Sequence, residues 1–265
     1  MSYPLSGSDR PLISIITVCF NSERTIKKTI QSVLNQDYNF FEYIIVDGNS
    51  SDSTLQIINE FNLDKRISVI SETDNGIYDA INKGINKANG EIIAILNSDD
   101  FYYDHSILSK IVAGFSEETD LVYSDICFIN KKQKISRYFS SKYFNKYFFY
   151  FGMMPPHPSI FVRRKLYENY GLYKTSYRIA ADFEFFLRVF LFSDNNPKYL
   201  PMLSVIMNEG GASNGTLSRR ITLNNEILKS FKENGVKSIY LLVYIKYVFK
   251  IFQYISPYFM QIKLK

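Results

Sequence analysis

Short β-branched runs that end in Asp or Asn, each followed by a segment of helical period, fill the first half of this chain. Leu12 to Phe20 is a run of Ile, Val and Thr that reads as a buried strand. Asn21 and Ser22 are placed to cap a helix whose apolar face is Ile26, Ile30, Val33 and Leu34. Tyr43 to Val46 is a second strand, ending in Asp47-Gly48-Asn49-Ser50-Ser51-Asp52, and the helix from about Ser53 carries Leu55, Ile58 and Phe61. Ile67 to Ile70 is a third strand. After the turn at Asp74-Asn75-Gly76, residues Ile77, Ile81 and Ile85 mark a helix. Glu91 to Leu96 is a fourth strand, ending at Asn97-Ser98-Asp99-Asp100, and Leu121 to Ile129 is a fifth. Strands alternating with helices over short loops imply an α/β fold with a mostly parallel sheet flanked by helices. Ligands in such sheets bind outside the carboxyl ends of the strands.

Those ends carry Asp47, Asp74, Asp99 and Asp100. Any one of them could serve a turn or a helix cap. Their convergence on one edge points to a site instead. Neither a Walker loop nor a dinucleotide fingerprint is present, so no backbone cradle for phosphate can be read from the chain. A phosphorylated ligand would then be neutralised by a hard divalent cation on carboxylates, Mg²⁺ or Mn²⁺, acting as a Lewis acid on a departing diphosphate.

From Lys131 the alternation breaks into a Tyr- and Phe-rich stretch dotted with Lys, running to Phe151. His157 follows between Pro156 and Pro158, which hold it in a stiff loop. It can be a structural histidine or reach a diphosphate or acceptor, and both readings stay open. Arg163, Arg164 and Lys165 form either a solvated or a diphosphate-facing patch. Ile179 to Arg188 reads as a helix start in which Asp182 could be a cap. The tail from Gly235 onward is expected to be helical, with Leu241, Ile245, Val248, Phe252 and Ile255 on one stripe and Lys246, Lys250 and Gln253 opposite. That tail can pack on the domain or dock on an anionic membrane surface.

Composition sets the outer limits. With 265 residues, 46% hydrophobic and 22% charged, the chain folds without staples. A net charge of +5 with interspersed signs gives no footprint for nucleic acid. Cys19 and Cys127 both sit in apolar runs, which excludes a disulfide framework and a cysteine zinc site. The most apolar stretch, Ile239 to Ile255, is interrupted by Lys246 and Lys250, and the polar opening of the chain carries no export pattern. A cytoplasmic protein, peripheral on the inner face of the membrane, is the expected setting.

Several of these segments together resemble family 2 glycosyltransferases. They are Val18-Cys19-Phe20-Asn21-Ser22-Glu23, Ile45-Val46-Asp47-Gly48-Asn49-Ser50-Ser51-Asp52-Ser53-Thr54, Asp74-Asn75-Gly76-Ile77-Tyr78-Asp79-Ala80-Ile81-Asn82-Lys83-Gly84, Leu96-Asn97-Ser98-Asp99-Asp100 and Ala181-Asp182. The resemblance spans about Leu12 to Arg188, in the family's order and spacing. It implies the GT-A fold, a nucleotide-diphosphate sugar donor, usually UDP-linked, and inversion at the anomeric carbon. By the same resemblance Asp47 holds the base, and the segment Thr17 to Glu23, with Thr17, Cys19, Asn21 and Glu23 foremost, lines the nucleotide pocket. Asp74 and Lys83 lie near nucleotide and diphosphate, and Asn97, Ser98 and Asp100 border the donor. Asp99 is the metal carboxylate and Asp182 the catalytic base. The family's first motif aspartate is Asn97 here, which removes one charge from the metal site. The implied organisation is a GT-A domain over 1–210, its nucleotide-sugar half about 11–130 and its acceptor half about 131–210, followed by a helical segment over 211–265. A lipid-diphosphate-linked saccharide of O-antigen type is the implied acceptor, and a homo-oligomer is compatible with it. The alternative is a catalytically silent sugar-binding module on the same fold. The pairing of Asp99 with Asp182 favours the enzyme.

Overall fold

The computed structural model describes residues 10–209, 217–237 and 241–247. Strand β1 (Ile13–Cys19) lies between β2 (Phe41–Asp47) and β4 (Ile92–Ile95), with β3 (Ile67–Ser71) outside β2, all parallel. The β1 side chains alternate between two cores. Ile13, Ile15 and Cys19 face one, and Ile16 and Val18 the other. This is the period of two that a sheet covered on both faces requires.

Helices α1 (Ile26–Leu34) and α2 (Thr54–Asn59) cover the first core, and α3 (Ile77–Lys87) covers the second. Gly84 lets α3 lie close, since a Cβ there would stand 2.4 Å from a methyl of Ile16. One local expectation is corrected, and the helix expected from Ile77 is present. Helix α1 starts later than Asn21-Ser22 implied, with Thr25 at its N-cap position. Asn21 adopts a left-handed conformation (φ 48°) and its Oδ1 accepts from the Ser51 amide at 2.9 Å. In α3 the inward face is Tyr78, Ile81 and Ile85, whereas Ile77 is 41% exposed.

The second half is more regular than its sequence suggested. After β5 (Phe101–Tyr102) and α4 (Ile107–Gly114), β6 (Leu121–Ile129) forms the central strand of a mixed half-sheet. One edge of β6 pairs first with β8 (Ile160–Arg163) and then with β7 (Ile135–Phe139), both antiparallel. The other edge pairs in parallel with β9 (Pro197–Asn208), which in turn pairs with β5. Because β8 is antiparallel to both β4 and β6, those two strands run the same way, and their carboxyl ends reach one edge of the molecule.

Helices α5 (Arg164–Tyr170), α6 (Ala181–Phe192) and α7 (Leu217–Glu233) complete the second core. Its interior is aromatic: Phe149, Phe183, Phe185, Phe186 and Phe190 are buried together, and α7 adds Ile227 and Phe231. Residues 241–247 are helical, and Val243 packs against Ile227 and the turn at Gly152. Leu241 is 71% exposed, so the packed side of this short helix differs from the predicted stripe. Val248, Phe252 and Ile255 of that stripe lie outside the described residues. Among the described residues no helix is long and apolar enough to cross a membrane.

Candidate active site

A cleft of about 970 Å³ opens over the carboxyl ends of β1, β4 and β6. Its walls come from four places: the β1–α1 loop, the start of α3, the β4 turn, and the second half of the chain from β6 to α6. Cys19, Asn21, Glu23, Asp74, Asn97, Ser98, Asp99, His157 and Asp182, expected at the site from the sequence, all line it. Thr17, Asp47, Lys83 and Asp100 do not reach its surface.

Strand geometry explains the absentees. Thr17 is fully buried, with its hydroxyl accepting from Tyr43 Oη at 3.0 Å. Asp47 closes a row across the sheet edge with Cys19 and Ser71. Its carboxylate, also fully buried, accepts from the Ser50 amide at 3.0 Å and from Ser71 Oγ at 2.8 Å. It therefore fixes the turn that follows β2. Gly48 next to it admits Asp74, because a Cβ there would meet Asp74 Oδ2 at 2.5 Å. Lys83 braces the segment that carries Asp74, through Glu72 at 2.8 Å and the Thr73 carbonyl at 3.0 Å. The Cys19 thiol is pushed up by burial first and by Asp47 second, so it stays protonated.

The β4 turn presents two unlike carboxyls. Asp99 faces the cleft, and burial raises its pKa. Asp100 is fully buried, held by the Asn97 amide at 3.1 Å and raised well above the carboxylate range by burial and then by the neighbouring charge of Asp99. Asn97 thus turns its donor toward Asp100. Ser98 Oγ meets Ser22 Oγ at 2.9 Å and ties this turn to the β1–α1 loop.

Across the cleft, Asp182 stands in the first turn of α6, one residue inside the helix rather than at its cap. Its Oδ1 accepts from the Phe183 amide at 2.8 Å and lies 3.2 Å from Tyr78 Oη. Burial pushes its carboxyl up to about 6. His157 lines the same cleft with Nε2 3.1 Å from Tyr173 Oη, and burial lowers its pKa to about 4, leaving it neutral. Arg163 sits at the amino edge instead, in register with Ile92 and bonded to the Thr119 and Ser116 carbonyls. None of Arg163, Arg164 and Lys165 lines the cleft; Arg164 bonds the Ala88 carbonyl and Lys165 pairs with Asp120.

Two contributors, Tyr78 and Arg137, escaped the sequence reading, whereas Phe20 falls in the expected segment Thr17 to Glu23. Phe20 is 63% exposed at the end of β1 and lines the cleft next to Gly48. Tyr78 lay inside a quoted motif but was read only as helix. Arg137 of β7 lines the far wall with its guanidinium 3.6 Å over the Phe128 ring. It is visible only once β7 is known to pair with β6.

Comparison with known proteins now decides the family. The model for "Glycosyl transferase family 2" matches residues 14–171, more than half of the chain. The chain belongs to glycosyltransferase family 2. A "PGL/p-HBAD biosynthesis glycosyltransferase" of Mycobacterium bovis is 31% identical over 244 residues, covering 88% of this chain and 90% of that one. An uncharacterized glycosyltransferase of Haemophilus influenzae is 42% identical over a shorter stretch, 34% of this chain and 37% of its own. This protein is a glycosyltransferase. Among solved structures, S. aureus TarS 1-349 in complex with UDP-GlcNAc superposes with a TM-score of 0.67 at 19% identity. The mannosyltransferase PcManGT from Pyrobaculum calidifontis, in complex with GDP-Man and Mn²⁺, does so with 0.64 at 16%. The matches cover 83% and 85% of this chain and about two thirds of either neighbour, 66% and 64%. They establish the GT-A fold for this family member.

Proposed function

We propose that this glycosyltransferase moves one sugar from a UDP-sugar donor (glucose, galactose or an N-acetylhexosamine) to a hydroxyl of a saccharide acceptor, with inversion. The observation that carries this reading is that Asp99 and Asp182, from different elements of the chain, line one cleft. Asp182 is in addition held near neutrality by burial. The nucleotide end is the β1–α1 side, where the exposed ring of Phe20 would meet the base and Asp74 would lie by the ribose and diphosphate. Residues of about 11–130 form this half, and the acceptor enters over about 131–210.

A divalent cation fits the site through Asp99, a half-buried carboxylate lining the cleft beside Asn97 and Ser98. The described residues hold no ready-made group of three His, Cys, Asp or Glu ligands. One carboxylate, with diphosphate oxygens and water at the other positions, is the arrangement Mg²⁺ and Mn²⁺ favour. Bound there, the ion would supply Lewis-acid stabilisation of the leaving diphosphate.

Asp182 takes the proton of the attacking acceptor hydroxyl. A base for this must lie within hydrogen-bond reach of the hydroxyl and have a pKa near the working pH, and a carboxyl raised to about 6 meets the second demand. Oδ1 is engaged by the Phe183 amide and Tyr78, which leaves Oδ2 for the acceptor. His157, uncharged, can offer the acceptor a hydrogen bond but brings no charge to a diphosphate. The acceptor is a lipid-diphosphate-linked saccharide of O-antigen or capsule type, reached from an anionic membrane surface. In support stands the tail, with an apolar stripe opposed by Lys246 and Lys250.

The test is a screen of UDP-sugars against a synthetic lipid-diphosphate saccharide, with the anomeric configuration of the product read by NMR. An α-linked donor should yield a β-linked product. Retention of the α configuration would reject inversion, and turnover of no UDP-sugar would reject the proposed donor and acceptor pairing.

A further inference from the structure

We infer that Glu226 of helix α7 is a positioning residue for the catalytic base, its carboxylate gathering the backbone that leads into Asp182. This rests on the reading of Asp182 as the base. The Glu226 side chain is buried, and its two oxygens accept from three consecutive main-chain amides. Arg178 N donates at 2.8 Å, and Ile179 N and Ala180 N at 2.9 Å each. These residues immediately precede α6, whose first turn holds Asp182.

The three N–H groups have no helical acceptor, since they lie before the helix begins. A buried carboxylate is the strongest acceptor available to them, because the bonds are charge-assisted. It fixes three successive amides at once and so sets the direction in which α6 starts. The opposite side of the same backbone is held by Tyr78 Oη, 2.5 Å from the Ile179 carbonyl and 3.2 Å from Asp182 Oδ1. The base is therefore gripped from α3 on one side and α7 on the other. A second α7 carboxylate extends the hold upstream. Glu233 accepts from Lys174 Nζ at 3.0 Å and from Tyr177 Oη at 2.9 Å. Helix α7, which follows the family-matched region, thereby holds the backbone that carries the base without lining the cleft itself.

Base catalysis depends steeply on placement, and an error of about 1 Å can cost about 10² in rate. Glu226→Ala should lower kcat by about 10- to 100-fold, with UDP affinity by calorimetry within about twofold of wild type. Glu226→Gln keeps one carbonyl oxygen and should fall between the two. The deciding measurement is a double-mutant cycle with Asp182→Asn. If Glu226 acts through the base, its replacement should change kcat by less than about twofold once the base is gone. Equal fold losses in both backgrounds, or a parallel loss of UDP affinity, would overturn the inference. Should Glu226→Ala fail to fold, Glu226→Gln carries the same cycle. Near-wild-type kcat in Asp182→Asn alone would instead reject the base itself, and the assignment of Glu226 with it.

Discussion

At the residue scale the molecule sets one group against its own stability. Asp182 has its carboxyl raised from the ordinary aspartate value to about 6. A raised carboxyl means that the folded state prefers the protonated form. Its stabilising contribution is complete below the unfolded pKa and lost as pH rises through about 6. Asp182→Asn keeps an oxygen for the Phe183 amide and Tyr78 but removes the buried charge. It should lower kcat by about 10² to 10⁴ and yet raise stability above pH 6 by about 1–3 kcal/mol. Thermal unfolding at pH 7.5 and pH 5 checks this, because the stability gain should shrink at the lower pH. For the wild type, kcat/KM should fall on the acid side with an apparent pKa near 6. A second residue-scale case is Gly48. A methyl there collides with Asp74 Oδ2, the end of a short side chain that can rotate away. Gly48→Ala should therefore stay folded while binding UDP about 10-fold more weakly, about 1.4 kcal/mol, as calorimetry can measure.

Elements matter here through how closely they approach one another. Helix α3 supplies both Tyr78 to the base and Ile77 to the cleft wall, and it can do so only because Gly84 lets it settle on β1. Ile16, the residue that a Cβ would strike, is fully buried and has nowhere to go. Gly84→Ala should cost about 1–3 kcal/mol in urea unfolding, as overpacking of a filled core does. Unchanged stability would show that α3 can lift without penalty. The helix that contains this glycine was legible in the sequence, but which of its isoleucines pack inward was not. A stripe of three isoleucines at i, i+4, i+8 looks like a core face, and here the cleft displaces its first member. The strands β7, β8 and β9 were not legible at all. They are short or lack clean alternation, and their pairing depends on partners far along the chain, which no local pattern encodes.

For the whole molecule, the charge distribution across the cleft is the main consequence of the fold. Glu23, Asp52, Asp74, Asp99 and Asp182 all line it against only Arg24 and Arg137 among the described residues, and the proposed donor is itself anionic. Excess EDTA should therefore abolish turnover, and Mn²⁺ or Mg²⁺ should restore it. Asp99→Ala should no longer respond to added metal, losing several kcal/mol of leaving-group stabilisation. Full activity in EDTA would contradict this. The C-terminal region bears on membrane association. Leu241 and Tyr244 are exposed on the helix over 241–247, while Val243 anchors it to the domain. Removing residues from 236 onward should reduce sedimentation with phosphatidylserine vesicles at low salt, with α7 left in place. Equal sedimentation of full-length and shortened protein would exclude docking through this region.

The residues from Leu12 to Asp100 determined by themselves the α/β class, the parallel half of the sheet and the edge where the site lies. Each of those features follows from local signals: β-branched runs, helical spacing, and polar turns after strands. Asp74, Asp99 and Asp182 could be named in advance because the motifs that carry them are contiguous. Only the tertiary structure could decide which polar residues face the cleft. Thr17 and Asp47 follow the alternation of their strands into buried hydrogen bonds, and Lys83 spends its charge on Glu72. Nor could the sequence pair Glu226 with the amides of 178–180, because that contact spans more than forty residues and depends on how α7 crosses α6. A side chain's type is local information, whereas its direction and its partners are properties of the assembled core.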